Sequence, residues 1–212
     1  EPGISMLEDL CGIPVVGVVP YMDVDIEDED SLSSRLETGK GKAPAAVDLA
    51  VIRFPRISNF TDFNVFSGIP GVSLRYVTRA CDLGTPDMVI LPGTKNTIHD
   101  LLWMRQNGLE AAILKLADRQ VPVWGICGGY QMMGEVLMDE KGVESDLPSR
   151  TSGMGLLPLK TEFEKEKIRT QVEGAFGQLD GCLGGLSGKS IEGYEIHMGR
   201  TYIDREEGAA DT

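Results

Sequence analysis

Residues 121 to 136 read VPVWGICGGYQMMGEV, an apolar run ending in one cysteine set among three glycines, Gly125, Gly128 and Gly129. A thiol stands exposed for attack when it sits at a sharp strand-to-helix turn, where neighbouring Cβ atoms would collide and glycine relieves the collision. The start of the following helix, GGYQMMGEVL, offers free amide protons that favour the thiolate and can hold the oxyanion formed when sulfur attacks a carbonyl carbon. Cys127 is therefore the candidate nucleophile. The competing reading, a buried core thiol, leaves glycine at three neighbouring positions without a purpose. A second glycine turn, ILPGTKNT (90–97), follows another apolar run. If both runs end on the same side of one parallel sheet, an amide of Gly93 or Thr94 can be a second oxyanion donor.

A cysteine nucleophile needs a base, normally histidine, and the chain holds two. His99 falls near the start of a predicted helix, where a surface or capping role accounts for it. His197, in GYEIHMGRTY, ends an alternating run and is the candidate base by elimination, against the alternative of a hydrogen-bonded structural residue.

These residues need elements to hold them. The runs over 45–54, 72–77, 87–91 and 121–126 are short and rich in Val and Ile, as strands of a parallel sheet covered on both faces are. Between the last two, Ile98, Leu101, Leu102, Leu109, Ile113, Leu116 and Ala117 recur at helical spacing. Thr97 with Asp100 predicts the cap of that helix, and Gly108 predicts a break into two. The chain is thus α/β, a mostly parallel sheet flanked by helices with a nucleophile elbow. Beyond residue 140, GLLPLKTEFEKEKIRTQVEG reads as a hairpin or edge strands and GQLDGCLGGLSGKS as a glycine-rich loop. Near the start, IPVVGVV (13–19) predicts a buried strand. It is followed by six acidic residues between Asp23 and Asp30 and then serines and glycines, the composition of a linker.

The 212 residues are 42% hydrophobic and 25% charged, enough for one sizeable core with appendages. No apolar run reaches a membrane span and no signal-peptide pattern opens the chain, so a soluble cytoplasmic protein is expected. Cys11, Cys81, Cys127 and Cys182 share no metal-ligand or redox spacing, which predicts reduced thiols and no metal site. A net charge of −13 opposes nucleic acid and anionic membranes as partners. The chain opens at Glu1-Pro2 and closes in DREEGAADT, and a fragment at both ends is expected.

Four motifs, RISNFTDF (56–63), LPGTKNT, GICGGYQMMG and GYEIHMGRT (193–201), together resemble the cobyric acid synthase family, class I glutamine amidotransferases of cobalamin biosynthesis. The resemblance covers nearly the whole chain. It implies that residues 1–35 are the tail of an ATP-dependent synthetase domain with its linker, and that 45–212 are a glutaminase domain shortened at its C-terminus. Cys127 would attack the side-chain amide of glutamine, Gly128 and Gly93 would supply oxyanion amides, and Gln131 would hold the substrate. Ammonia would pass to the synthetase domain, where ATP with Mg2+ activates carboxylates of adenosylcobyrinic acid a,c-diamide. No phosphate loop occurs here, so those cofactors and the corrinoid would bind outside this chain. The family's base resembles a TYLHG-like segment beyond residue 212, which would leave His197 a wall or structural residue. The rival readings are a related amidotransferase acting on a cell-wall lipid intermediate, a noncatalytic domain that keeps the fold, and a peptidase-like cysteine hydrolase.

Overall fold

The computed structural model describes residues 2–18, 45–145 and 149–203. The expected acidic linker and the closing DREEGAADT lie outside them. A helix, α1 (Pro2–Cys11), comes first, with Pro at its first position, where a missing N–H costs nothing. The expected strand over 13–19 is absent across its described part. Residues 13–18 carry no regular structure, Ile13 and Val16 are exposed, and the Val15 N–H goes to Glu8 Oε1 at 2.9 Å. A β-branched run becomes a strand only against a neighbour that takes its amides, and none of the described residues pairs with it.

The central sheet is built as the apolar runs predict. Strands β1 (Val47–Ile52), β3 (Val72–Val77), β4 (Met88–Leu91) and β6 (Val123–Gly125) are all parallel, in the order β3-β1-β4-β6. Two-residue periodicity splits each run between two cores. Ala50, Ile52, Val89 and Leu91 face one cluster, while Leu49, Val51 and Ile90 face the other with Phe63 and Leu74. Burial on both faces is complete over 49–52 of β1 and 89–91 of β4 at the centre of the sheet, while the outer β3 and β6 are partly exposed. Between β1 and β3 lie the short β2 (Ile57–Ser58), a 3₁₀ turn (Phe60–Phe63) and α2 (Asn64–Ser67). Helix α3 (Ala80–Leu83) precedes β4. After β4, the two-residue β5 (Gly93–Thr94) pairs antiparallel with β2.

Helices α4 (Thr97–Gln106) and α5 (Leu109–Asp118) follow, and Gly108, at φ 73°, divides them as expected. The cap is not the expected one. Asn96 caps α4 by accepting the His99 N–H at 2.9 Å, and Asp100 turns inward instead. Leu101, Met104, Leu109 and Ile113 are fully buried against the sheet.

After the cysteine, α6 (Gly128–Met132) is only five residues long, shorter than the helix predicted through residue 137. Gly134 lies too close to the Leu159 carbonyl for any side chain, and the chain turns there into β7 (Val136–Asp139). β7 belongs to a second sheet of order β10-β9-β7-β8, with β8 (Ser149–Ser152), β9 (Lys160–Ala175) and β10 (Ser190–Tyr202). The stretch 155–174, expected to hold a hairpin or edge strands, instead supplies the single long strand β9, which pairs antiparallel with β10, with a bulge between Met198 and Arg200. The glycine-rich connection contains a 3₁₀ turn (Gly181–Leu186). Leu137 and Phe163 join this sheet to the main core. Among the described residues no helix is long and apolar enough to cross a membrane.

Candidate active site

Strand β6 delivers Cys127. The Ile126 N–H donates to the Leu91 carbonyl at 2.9 Å, Cys127 then takes φ 50° and ψ −113°, and the Gln131 N–H returns to the Cys127 carbonyl at 3.0 Å. A non-glycine residue held there stores about 1–3 kcal/mol of backbone strain. The three glycines are each required by crowding. A Cβ on Gly125 would lie 2.7 Å from Tyr130 Cα, one on Gly128 2.6 Å from Thr94 Cγ2, and one on Gly129 would fall on the Leu91 carbonyl oxygen. The tight turn leaves the thiol exposed. Cys11 and Cys81 are exposed too, so exposure does not set Cys127 apart; the turn does.

Opposite the elbow stands β5. A Cβ on Gly93 would meet Ser58 Oγ at 2.8 Å and Cys127 Cβ at 3.8 Å, so glycine is what lets this strand approach the nucleophile. The Lys95 N–H donates to the Arg56 carbonyl at 2.9 Å. Hydrogen bonding alternates along an antiparallel ladder, so the Thr94 N–H, one residue earlier, points away from β2. A Cβ on Gly128 would lie 3.4 Å from that Thr94 nitrogen, which brings the Thr94 amide against the first residue of α6. The Gly128 N–H, first in its helix, has no acceptor among the described residues. Of the two candidate donors on the PG turn, the geometry favours Thr94.

Cys127, Gly93, Thr94, Gln131, Glu144 and His197 line one cavity of about 650 Å³. RISNFTDF, quoted from the sequence without a position in space, forms a second side of it through Ser58, Asn59, Asp62 and Phe63. Gln131 is buried, and the Thr97 hydroxyl lies 3.3 Å from its Oε1.

Glu144 was not singled out by the sequence. Its Oε2 accepts the Ile98 N–H at 3.0 Å, its Oε1 lies 3.1 Å from the Thr97 hydroxyl, and Asn96 Nδ2 donates to its carbonyl. Burial pushes the Glu144 carboxyl up, against the pull of the Ile98 N–H and of Thr97. The loop carrying it is tied by Asp139, whose carboxylate accepts the amides of Val143, Glu144 and Ser145 at 2.6–2.9 Å and the Ser145 hydroxyl at 2.8 Å. Burial opposes ionisation of Asp139, but these donors outweigh it and hold the carboxyl below its usual range. The spacing D-x-x-G-x-x-S over 139–145 is the only trace of this loop in the sequence, and it is compositional.

His197 stands in the cavity wall with both ring nitrogens engaged. Nδ1 lies 2.7 Å from the Gly199 carbonyl and Nε2 lies 2.6 Å from Glu195 Oε1. Each ring nitrogen is thus directed at an oxygen of its own strand, Gly199 or Glu195, and not at the Cys127 sulfur. His99 does not line the cavity; its Nδ1 sits 2.6 Å from Arg56 Nη1 on the surface. Asp100, by contrast, is fully buried. Its Oδ2 takes the Thr94 hydroxyl at 2.5 Å and the Arg56 N–H at 3.2 Å. Burial pushes this carboxyl up and those donors pull it back. Among the described residues no group of three or more His, Cys, Asp or Glu is placed to hold a metal.

Residues 48–211 match the profile of the CobB/CobQ-like glutamine amidotransferase domain. The cobyric acid synthase of Ruminiclostridium cellulolyticum is 56% identical over 209 residues, 98% of this chain and 39% of that protein. That of Yersinia enterocolitica is 49% identical over 95% of this chain and 39% of that protein. The chain thus spans about 39% of the length of the curated relatives it matches. Among solved structures, a glutamine amidotransferase crystal structure aligns with TM-score 0.51 at 16% identity, covering 76% of each chain. The PurLQS structure from Thermotoga maritima aligns with TM-score 0.50 at 17% identity, over 76% of this chain and 71% of that one. At such identities the likeness shows the fold.

Proposed function

The chain belongs to the CobB/CobQ-like glutamine amidotransferase family, and we propose that it is the glutamine-hydrolysing portion of a cobyric acid synthase. The observation that carries the mechanism is the strained Cys127 facing the amides of Gly128 and Thr94. The Cys127 sulfur attacks the side-chain amide carbon of glutamine and forms a C–S bond. The carbonyl electron pair moves to oxygen, and the two N–H groups stabilise the charge, an effect worth about 2.7–4 kcal/mol per donor in comparable sites. Collapse breaks the C–N bond, and the nitrogen leaves as ammonia with the proton the thiol gave up. Water then cleaves the thioester to glutamate. Gln131 and Glu144 hold the amino-acid end, the Glu144 carboxylate matching the substrate ammonium.

With both of its nitrogens turned to oxygens, His197 serves this reading as a wall residue. We assign proton transfer to a histidine outside these 212 residues. Ammonia passes to the remainder of the longer protein, where ATP with Mg2+ activates corrinoid carboxylates for amidation. A surface of charge −13 is unsuited to binding a polycarboxylate, which supports placing that substrate elsewhere.

The test is glutamate release from glutamine by the chain and by the longer protein, each beside its Cys127→Ala variant. Cys127-dependent release by the longer protein alone is the expected result. Release by the 212-residue chain would make His197 the base, and release that survives Cys127→Ala would overturn the thioester route.

A further inference from the structure

The cavity's second oxyanion donor sits on a strand only two residues long, paired with another of two residues. So short a ladder does not fix an amide direction by itself. Yet Thr94 is also held through its side chain. Its hydroxyl donates to Asp100 Oδ2, and the same oxygen accepts the Arg56 N–H, one residue before β2. One carboxylate oxygen therefore joins β5 to the residue that leads into β2. The other oxygen, Asp100 Oδ1, is buried without a hydrogen-bond partner among the described residues; the Arg56 guanidinium nitrogen Nη1 lies 3.8 Å away and the His99 ring nitrogen Nδ1 4.0 Å away. A fully buried carboxylate with half its acceptors unused is expensive for folding. A neutral cap on α4 was available from Asn96, so helix capping does not explain it.

Resting on the glutaminase reading above, we propose that Asp100 is a positioning residue. By gripping the Thr94 side chain and the Arg56 amide, it aims the Thr94 N–H at the oxygen of the tetrahedral adduct. Its effect falls on the transition state and not on glutamine, because the amide's target exists only once sulfur has bonded to carbon.

The test separates those two states by binding, so it needs no turnover. Glutamate γ-semialdehyde is the probe. The Cys127 thiol adds across its C=O, an S–C bond forms, the thiol proton ends on oxygen, and that oxygen occupies the adduct position. Cyclisation lowers the free aldehyde equally for every variant, so ratios are read. Ground-state affinity is measured with glutamine in the Cys127→Ala background. Thr94→Val, half-buried and isosteric, should weaken aldehyde binding about tenfold and leave glutamine within about twofold. Thr94→Ser should restore the aldehyde, and Asp100→Asn, which keeps one acceptor oxygen but not the charge, should cost about threefold. The double variant Thr94→Val with Asp100→Asn should be no weaker than Thr94→Val alone, since both cut one link. Equal weakening of aldehyde and glutamine, an unchanged Thr94→Val, or additive losses would each overturn the positioning role. Aldehyde binding unaffected by Cys127→Ala would overturn the thioester reading and this proposal with it.

Discussion

Gly129→Ala isolates how much of the elbow is enforced by packing. The added methyl would fall on the Leu91 carbonyl oxygen, 2.5 Å from the Leu91 carbonyl carbon and 2.8 Å from its Cβ. Unstrained carbon contacts lie near 3.5–4.0 Å, so helix and strand must part by about 1 Å. β4 cannot yield easily. It is hydrogen-bonded on both sides, to β1 and β6, and Leu91 has no exposed surface. Its carbonyl is also the acceptor for Ile126, the residue before the nucleophile. Overpacking of this kind costs about 1–3 kcal/mol, and the strained Ile126 bond adds about 1 kcal/mol, for a total of about 3 kcal/mol. In a chain of this size that lowers Tm by about 6–12 °C. Thermal unfolding reads the loss, and alkylation of Cys127 by a glutamine-like chloroketone reads the displaced thiol. Gly193→Ala, whose Cβ would meet nothing within 4 Å, is the control and should leave Tm within about 1 °C. A Gly129→Ala protein melting within about 2 °C of the parent would refute the packing argument.

Cys127→Gly should be more stable than Cys127→Ala by about 1 kcal/mol, because glycine accepts φ 50°; both should be inert, and thermal unfolding of the pair decides it. Asp139→Asn should destabilise the protein by about 2 kcal/mol at neutral pH by loosening four charge-assisted hydrogen bonds. The folded pKa of Asp139 lies below the ordinary value of 3.8, so its contribution is complete above that value and is lost as pH falls through the depressed one. Denaturant titrations should show the gap between parent and variant closing in that acid range, and a gap independent of pH would contradict the account. Thr97→Val should raise the glutamine KM of the longer protein several-fold with kcat held, since it leaves Gln131 and Glu144 without their shared hydroxyl.

The parts legible from sequence were those governed by short-range rules. Four apolar-rich runs became four parallel strands, buried on both faces over 49–52 and 89–91 at the sheet centre and partly exposed in the outer two, and Gly108 broke the helix because the turn there needs a positive φ. The elbow was legible because crowding leaves glycine little alternative at 125, 128 and 129. What depended on distant partners was not. The run over 13–18 has strand composition but no strand beside it, and α6 stops early because Gly134 meets Leu159, twenty-five residues on. Asp100 looked like a capping residue by spacing, and only the fold reveals Thr94 and Arg56 around it. Glu144 reaches the site through a loop set by Asp139, which no periodicity records. His197 was named only by elimination; the fold sets it in the same cavity as Cys127, and its two oxygen neighbours come from backbone geometry at a bulge and a residue two positions away.

The cavity is bounded by materials of unequal firmness. Its nucleophile side, carried by β6, is tied through the Ile126 N–H to the end of β4, whose Val89, Ile90 and Leu91 are wholly buried, while the His197 side belongs to a hairpin whose outer part, residues 165–175, is exposed on β9. Local opening free energies follow that contrast. Amide protons of β4 should exchange with deuterium only through global unfolding, and those of the outer hairpin through small, frequent openings. Glutamine would then enter by displacement of the histidine wall, with the reacting sulfur and its amides standing still.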